Sequence, residues 1–147
     1  MTIIEYITEE VSRQGHDVTK PDGLIRVSWM LDAWVWAMDW VGKPAVARIE
    51  ALGIAVEPIK NERGFRNRAV FVGGEKKCHF SEIVPRLQVL LGRHLKPLEF
   101  YREFEEIHGF IDGNGRTGKI LLNYLNGTLS NPIFPPSDFW GRPIRNP

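Results

Sequence analysis

Residues 108 to 119 read His-Gly-Phe-Ile-Asp-Gly-Asn-Gly-Arg-Thr-Gly-Lys and stand between two stretches whose apolar residues recur at helical spacing. Any fold must therefore bring an imidazole, a carboxylate, an amide and two cations together where a glycine-rich loop opens a helix. Gly113 and Gly115 let backbone N–H groups approach an anion closely, and the following helix adds the partial positive charge of its N-terminus. That is the composition of a phosphate site. Asp112 beside such a nest repels phosphate unless a divalent cation lies between them, and Mg²⁺ takes one or two carboxylates together with phosphate oxygens. Arg116 and Lys119 share a helix face and reach toward the outer phosphates. His108 precedes the nest, placed to take a proton from an attacking hydroxyl.

Two plainer readings stand beside this one. Asp112 could open a calcium loop, but its fifth, sixth and twelfth positions are Arg116, Thr117 and Asn123, where a carboxylate or amide, a glycine and a glutamate are wanted. Asp-Gly-Asn-Gly is also an ordinary turn. His108, Phe110 and Arg116 in register favour the phosphate site over both.

At these residues the chain resembles the Fic/DOC family, whose motif runs His-Pro-Phe-x-Asp/Glu-Gly-Asn-Gly-Arg-x-x-Arg. His108, Phe110, Asp112, Gly113, Asn114, Gly115 and Arg116 match it. The resemblance implies transfer of AMP from ATP to a Ser, Thr or Tyr hydroxyl of a target protein. It implies His108 as general base, Asp112 as magnesium ligand, Asn114 on the α-phosphate, Gly113 and Gly115 as the anion hole, Arg116 on the β-phosphate, and Phe110 as the anchor of the loop. Gly109 replaces the motif's proline. Lys119 replaces the second arginine, which in the family holds the γ-phosphate, so charge survives but the bidentate fork does not.

Two rival functions follow. DOC members bind ATP inverted and phosphorylate their target, but they carry a lysine where this chain has Gly115, which favours nucleotidyl transfer. A non-catalytic nucleotide-dependent binding module has no use for His108. The family's inhibitory string, Ser/Thr-x-x-x-Glu-Gly/Asn, occurs nowhere in the sequence. Inhibition in cis by that device is not expected, which leaves control to a partner chain, an inhibitor or antitoxin, or to substrate availability.

The rest of the chain fits around the loop. At 147 residues it has the length of one domain with a real core, and a net charge of +1 gives no argument for nucleic acid or membrane partners. Cys78 is the single cysteine, and with His79 it has no second Cys-His cluster to complete a metal site. With no leader and no uninterrupted apolar span, the expectation is a cytoplasmic protein.

Residues 2 to 14 read as an amphipathic helix with Thr2 and Glu5 as a capping box, Ile3, Ile7 and Val11 on one face, and Gly15 at its end. Residues 22 to 41 read as the most apolar helix, with Leu24, Val27, Leu31, Trp34, Val35, Met38 and Val41 at helical spacing and its tryptophans mainly in the core. Another helix runs from Pro44 to Leu52. Arg68 to Val72, Gly73-Gly74 and Glu75 to His79 have the pattern of a β-hairpin, matching in position the family's flap, which binds a target segment as an added strand. Target docking is expected around residues 65 to 80, with Arg63, Arg66, Arg68, Lys76 and Lys77 steering an acidic target or the nucleotide. Ser81 caps a helix to Leu91, and Pro97 opens the one that delivers His108, its core face Leu98, Tyr101, Phe104 and Ile107. Glu99, Glu103, Glu105 and Glu106 read as its solvated face, and His16, His79 and His94 take no role. Residues 114 to 125 form the last helix, stopped by Gly127. The proline-rich tail, 128 to 147, should pack back through Ile133, Phe134, Phe139 and Trp140. The expected fold is mainly α, a single Fic-type helical domain with its core over about 24 to 127 and a β-hairpin flap over the active-site loop.

Overall fold

A computed structural model describes residues 1–137 and 139. Among these residues there are six α-helices: α1 (Ile3–Arg13), α2 (Pro21–Met38), α3 (Val46–Val56), α4 (Ile83–Leu91), α5 (Pro97–Ile107) and α6 (Asn114–Asn126). A hairpin of β1 (Phe71–Val72) and β2 (Glu75–Lys76) lies between α3 and α4. No helix among the described residues is long and apolar enough to cross a membrane.

The helix that the loop opens, α6, is the central one. Every residue from Arg116 to Asn123 is buried, and α6 packs on α2, α3 and α5. A helix buried all round must satisfy its polar side chains internally. Asn123 does so by tying down the tail: its Oδ1 accepts from Ile133 N at 2.8 Å, and its Nδ2 donates to Ile133 O at 3.2 Å. Phe134 then stacks on Tyr6 with ring centroids 4.0 Å apart. The tail thus packs back through Ile133 and Phe134, Phe139 lies against Tyr101 and Arg102, and Trp140 falls outside the described residues.

The expected elements are present, with shifted faces and ends. The capping box of α1 forms through Thr2 and Glu5. In α2 the buried face is Gly23, Arg26, Met30, Ala33, Trp34 and Ala37, whereas Leu24, Val35, Met38 and Val41 are exposed. Small residues win this face because backbones approach closely there: a Cβ on Gly23 would lie 2.1 Å from Asp17 O. Trp34 and Trp40 are buried as expected, but Trp36 is exposed. α3 begins at Val46 because Ala45 is still extended, and it runs on to Val56. His79, not Ser81, caps the turn before α4: its Nδ1 accepts from Ser81 N.

The hairpin pairs Phe71 with Lys76 and Val72 with Glu75 around Gly73 and Gly74, both at positive φ, as a two-residue turn requires. Its strands are shorter than the alternation predicts. The carbonyl of Arg68, which would continue the ladder opposite His79, instead accepts from the Arg66 guanidinium, as does that of Cys78.

Phe110 is fully buried and rests on α3, where Gly53 leaves room for its ring: a Cβ on Gly53 would lie 2.1 Å from Phe110 Cζ. Gly53→Ala should therefore destabilise the fold by about 1–3 kcal/mol in urea unfolding, as overpacking does. An unchanged midpoint would show that the loop is not seated there.

Candidate active site

α5 ends in a strained residue. His108 takes the left-handed conformation, φ 50° and ψ 59°, and is the sole non-glycine residue with positive φ among those described. The chain then turns inward at Phe110, and two asparagines fix the turn. Asn114 Oδ1 accepts from Phe110 N and its Nδ2 donates to Phe110 O, both at 2.9 Å. Asn61, from the turn after α3, donates to Asp112 O at 2.8 Å and to Gly53 O at 3.0 Å. Gly113, at φ 76°, is the N-cap of α6 and offers no capping side chain, so the first-turn N–H groups await an acceptor.

A cavity of about 240 Å³ opens at this point, and it brings together His108, Asp112, Gly113, Asn114 and Gly115 beneath the hairpin tip. Gln14, at the end of α1, closes the side nearest Gly115. Asn114 braces the loop with both polar atoms.

The two cations sit deeper than the spacing suggests. Arg116 is fully buried beneath the loop, 3.3 Å from Glu57 Oε1 and 3.5 Å from Asp112 Oδ1. Its guanidinium pairs with these two carboxylates at the base of the nest. Lys119, also buried, lies 3.2 Å from Glu10 Oε2 on α1. A glutamate thus reaches the second-arginine position although the inhibitory string is absent.

Asp112 is held below its usual range: burial pushes its pKa up, but Lys60, Arg116 and the Gly113 N–H outweigh that. Lys60 Nζ sits 2.9 Å from Oδ2 and is half exposed, so a stronger cation can displace it. Among the described residues no group of three or more His, Cys, Asp or Glu side chains could hold a metal by itself. One carboxylate fits Mg²⁺ whose remaining ligands are phosphate oxygens and water.

Burial, with Lys77 and Arg66 nearby, pushes the His108 imidazole down to about 4. It is therefore neutral at pH 7. Glu105 was read as solvated, but its Oε1 is buried without a hydrogen-bond partner among the described residues, against Gly118. Burial chiefly pushes its carboxyl up to about 7, with Glu10 opposed by Lys119 and Lys77. A carboxyl whose folded pKa lies above the ordinary 4.5 costs stability as pH rises through that interval, in full above 7. Glu105→Gln should flatten the pH dependence of thermal stability between those limits, gaining on the order of 1–3 kcal/mol at pH 8 relative to pH 4.5. Parallel stability curves would contradict this.

Sequence reasoning missed Glu10, Gln14, Glu57, Lys60 and Glu105. For Glu10 a signal existed: it shares the apolar face of α1 with Ile7 and Val11. Glu57 and Lys60 lie in an irregular segment where periodicity says nothing. With this geometry in hand, the Fic/DOC family model matches residues 93–125, from the approach to α5 through most of α6.

Proposed function

Starting from membership of the Fic/DOC family, which that match supports and which carries with it a transferase acting on proteins, we propose that the chain is a protein adenylyltransferase. The observation that supports this most is the convergence, in one cavity under the hairpin, of a neutral imidazole, the Asp112 carboxylate and an uncapped helix N-terminus, with Glu105 also in the lining. In the proposed reaction a Ser, Thr or Tyr hydroxyl of the target attacks the α-phosphorus of ATP. His108 takes the hydroxyl proton, the bond from the α-phosphorus to the bridging oxygen breaks, and pyrophosphate leaves. The first-turn N–H groups at Asn114 and Gly115, with the Asn114 side chain, stabilise the developing charge, and Arg116 reinforces them from beneath. Asp112 would hold Mg²⁺ in place of Lys60, and the ion supplies charge neutralisation on the phosphates.

The target segment is proposed to add to the hairpin as a strand, around residues 65 to 80. A second cavity of about 640 Å³, lined by Lys60, Arg63, Phe65, Arg68 and Asp112, continues from there and has room for target side chains. A terminal phosphate that reaches Lys119 would take the place of Glu10 of α1.

The test is label transfer to protein from α-labelled and γ-labelled ATP with Mg²⁺, for the wild-type chain and His108→Ala. Label should come from the α position and fall at least about 10²-fold in the variant, with ATP affinity kept within a few-fold. Label from the γ position alone would make the protein a kinase of the DOC kind. Transfer of neither, with ATP still bound, would leave a binding module.

A further inference from the structure

Arg66 is a costly residue to bury. It is 3% exposed, and none of its hydrogen-bond partners among the described residues is a carboxylate. Its guanidinium is satisfied mainly by main-chain carbonyls: Nε donates to His108 O at 2.7 Å, Nη1 to Arg68 O at 3.0 Å, and Nη2 to Cys78 O at 2.6 Å and to Ile107 O at 3.4 Å. Its own N–H donates to Gly109 O at 2.9 Å. The planar fork suits several fixed acceptors, and Ile107 and His108 carry the negative end of the α5 dipole.

These contacts meet where the backbone most needs support. His108 sits in a conformation that costs a residue with a Cβ about 1–2 kcal/mol. Gly109 follows it, with no ring or side chain of its own to stiffen the turn. One residue grips the two successive carbonyls, of His108 and Gly109, from Nε and N. The same guanidinium holds Arg68 and Cys78, which flank the hairpin on either side.

We propose that Arg66 is a positioning residue that holds His108 in its left-handed conformation and ties it to both roots of the hairpin, so that the base and the docking strand are set as one unit. The inference rests on the reading of His108 as base and of the hairpin as docking edge. The tie between the two segments can be tested without that reading. Binding of a target strand at the hairpin then fixes the imidazole relative to the hydroxyl it must deprotonate, and a protein target gains over a free hydroxyl by positioning alone.

Native-state amide exchange on the unmodified chain provides the first test. The hydrogen-bonded amides of Arg66 and Lys77 on the hairpin side and of His108 and Phe110 on the loop side should open with one shared free energy, below that of α6. Distinct opening energies would overturn the coupling. In Arg66→Lys, which keeps charge but loses the fork, exchange should rise in both segments together while α1 and α2 stay protected. A rise in one segment alone, or in neither, contradicts the proposal. In the transfer assay this variant should lose at least about tenfold in kcat with KM for ATP within about twofold. An unchanged kcat, or a change confined to KM, would reduce Arg66 to a tether. The His108 imidazole, faced by Lys77, Arg66 and Asp112, should titrate higher in Arg66→Gln and stay low in Arg66→Lys. If the wild-type chain transfers no label, the adenylyltransferase reading fails, while the exchange result still decides whether Arg66 couples the two segments.

Discussion

Glu57 is fully buried at the end of α3, out of reach of water that could share its charge. A carboxylate in that position is tolerated only if cations come to it, and two do: Arg26 from α2 at 2.8 Å and Arg116 from α6 at 3.3 Å. Asp22 in turn takes Arg26 at 2.6 Å, at the solvent edge. Three helices therefore meet on one charge. Removing both arginines would strand a buried negative charge, a loss on the order of 3–5 kcal/mol. The interior face of α2 follows from this: Arg26 turns inward to reach Glu57, with small residues along the same face, and several of its large apolar residues are left outside.

The loop from His108 to Gly115 is built on that charge. Arg116 can lie under the nest because Glu57 holds it there, and from below it also pairs with Asp112. The segment just after Glu57 supplies Asn61 and Lys60, which hold Asp112 by its backbone and by its carboxylate. Gly53, one turn earlier, makes the seat for Phe110. One short piece of chain, the end of α3 and the turn beyond it, thus supports the loop in three ways. Arg66 supports it from the opposite side, at His108. The loop is thus braced from both sides, and under the proposed function that bracing preorganises the N–H groups at the start of α6.

Much of this was legible in the sequence and some was not. The loop, its flanking helices and the hairpin could be read because each carries local punctuation: Pro97, Gly113, Gly127 and the Gly73-Gly74 pair mark ends that backbone geometry enforces. The buried face of α2 was misread because periodicity counts large apolar residues, whereas close helix packing is decided by Gly23, Ala33 and Ala37 and by one ion pair. Glu105 has the same acidic neighbours in the sequence as Glu99, Glu103 and Glu106, yet it alone turns inward, because Gly118 on the facing helix leaves a space that only the fold reveals. Arg116 and Lys119 were read as facing a ligand. Their partners Glu57 and Glu10 lie 59 and 109 residues away along the chain, and no local pattern announces them.

The claim on which everything else stands is that the start of α6 is a ready-made phosphate site. It is tested most directly by titrating the ¹⁵N-labelled chain with pyrophosphate, without magnesium, and following backbone amide resonances. The account expects saturable shifts concentrated at Gly113, Asn114, Gly115 and Arg116, with α3 and the tail unmoved. Shifts that never saturate, or that gather on the exposed arginines and lysines around residues 60 to 68 while the α6 amides stay still, would contradict it.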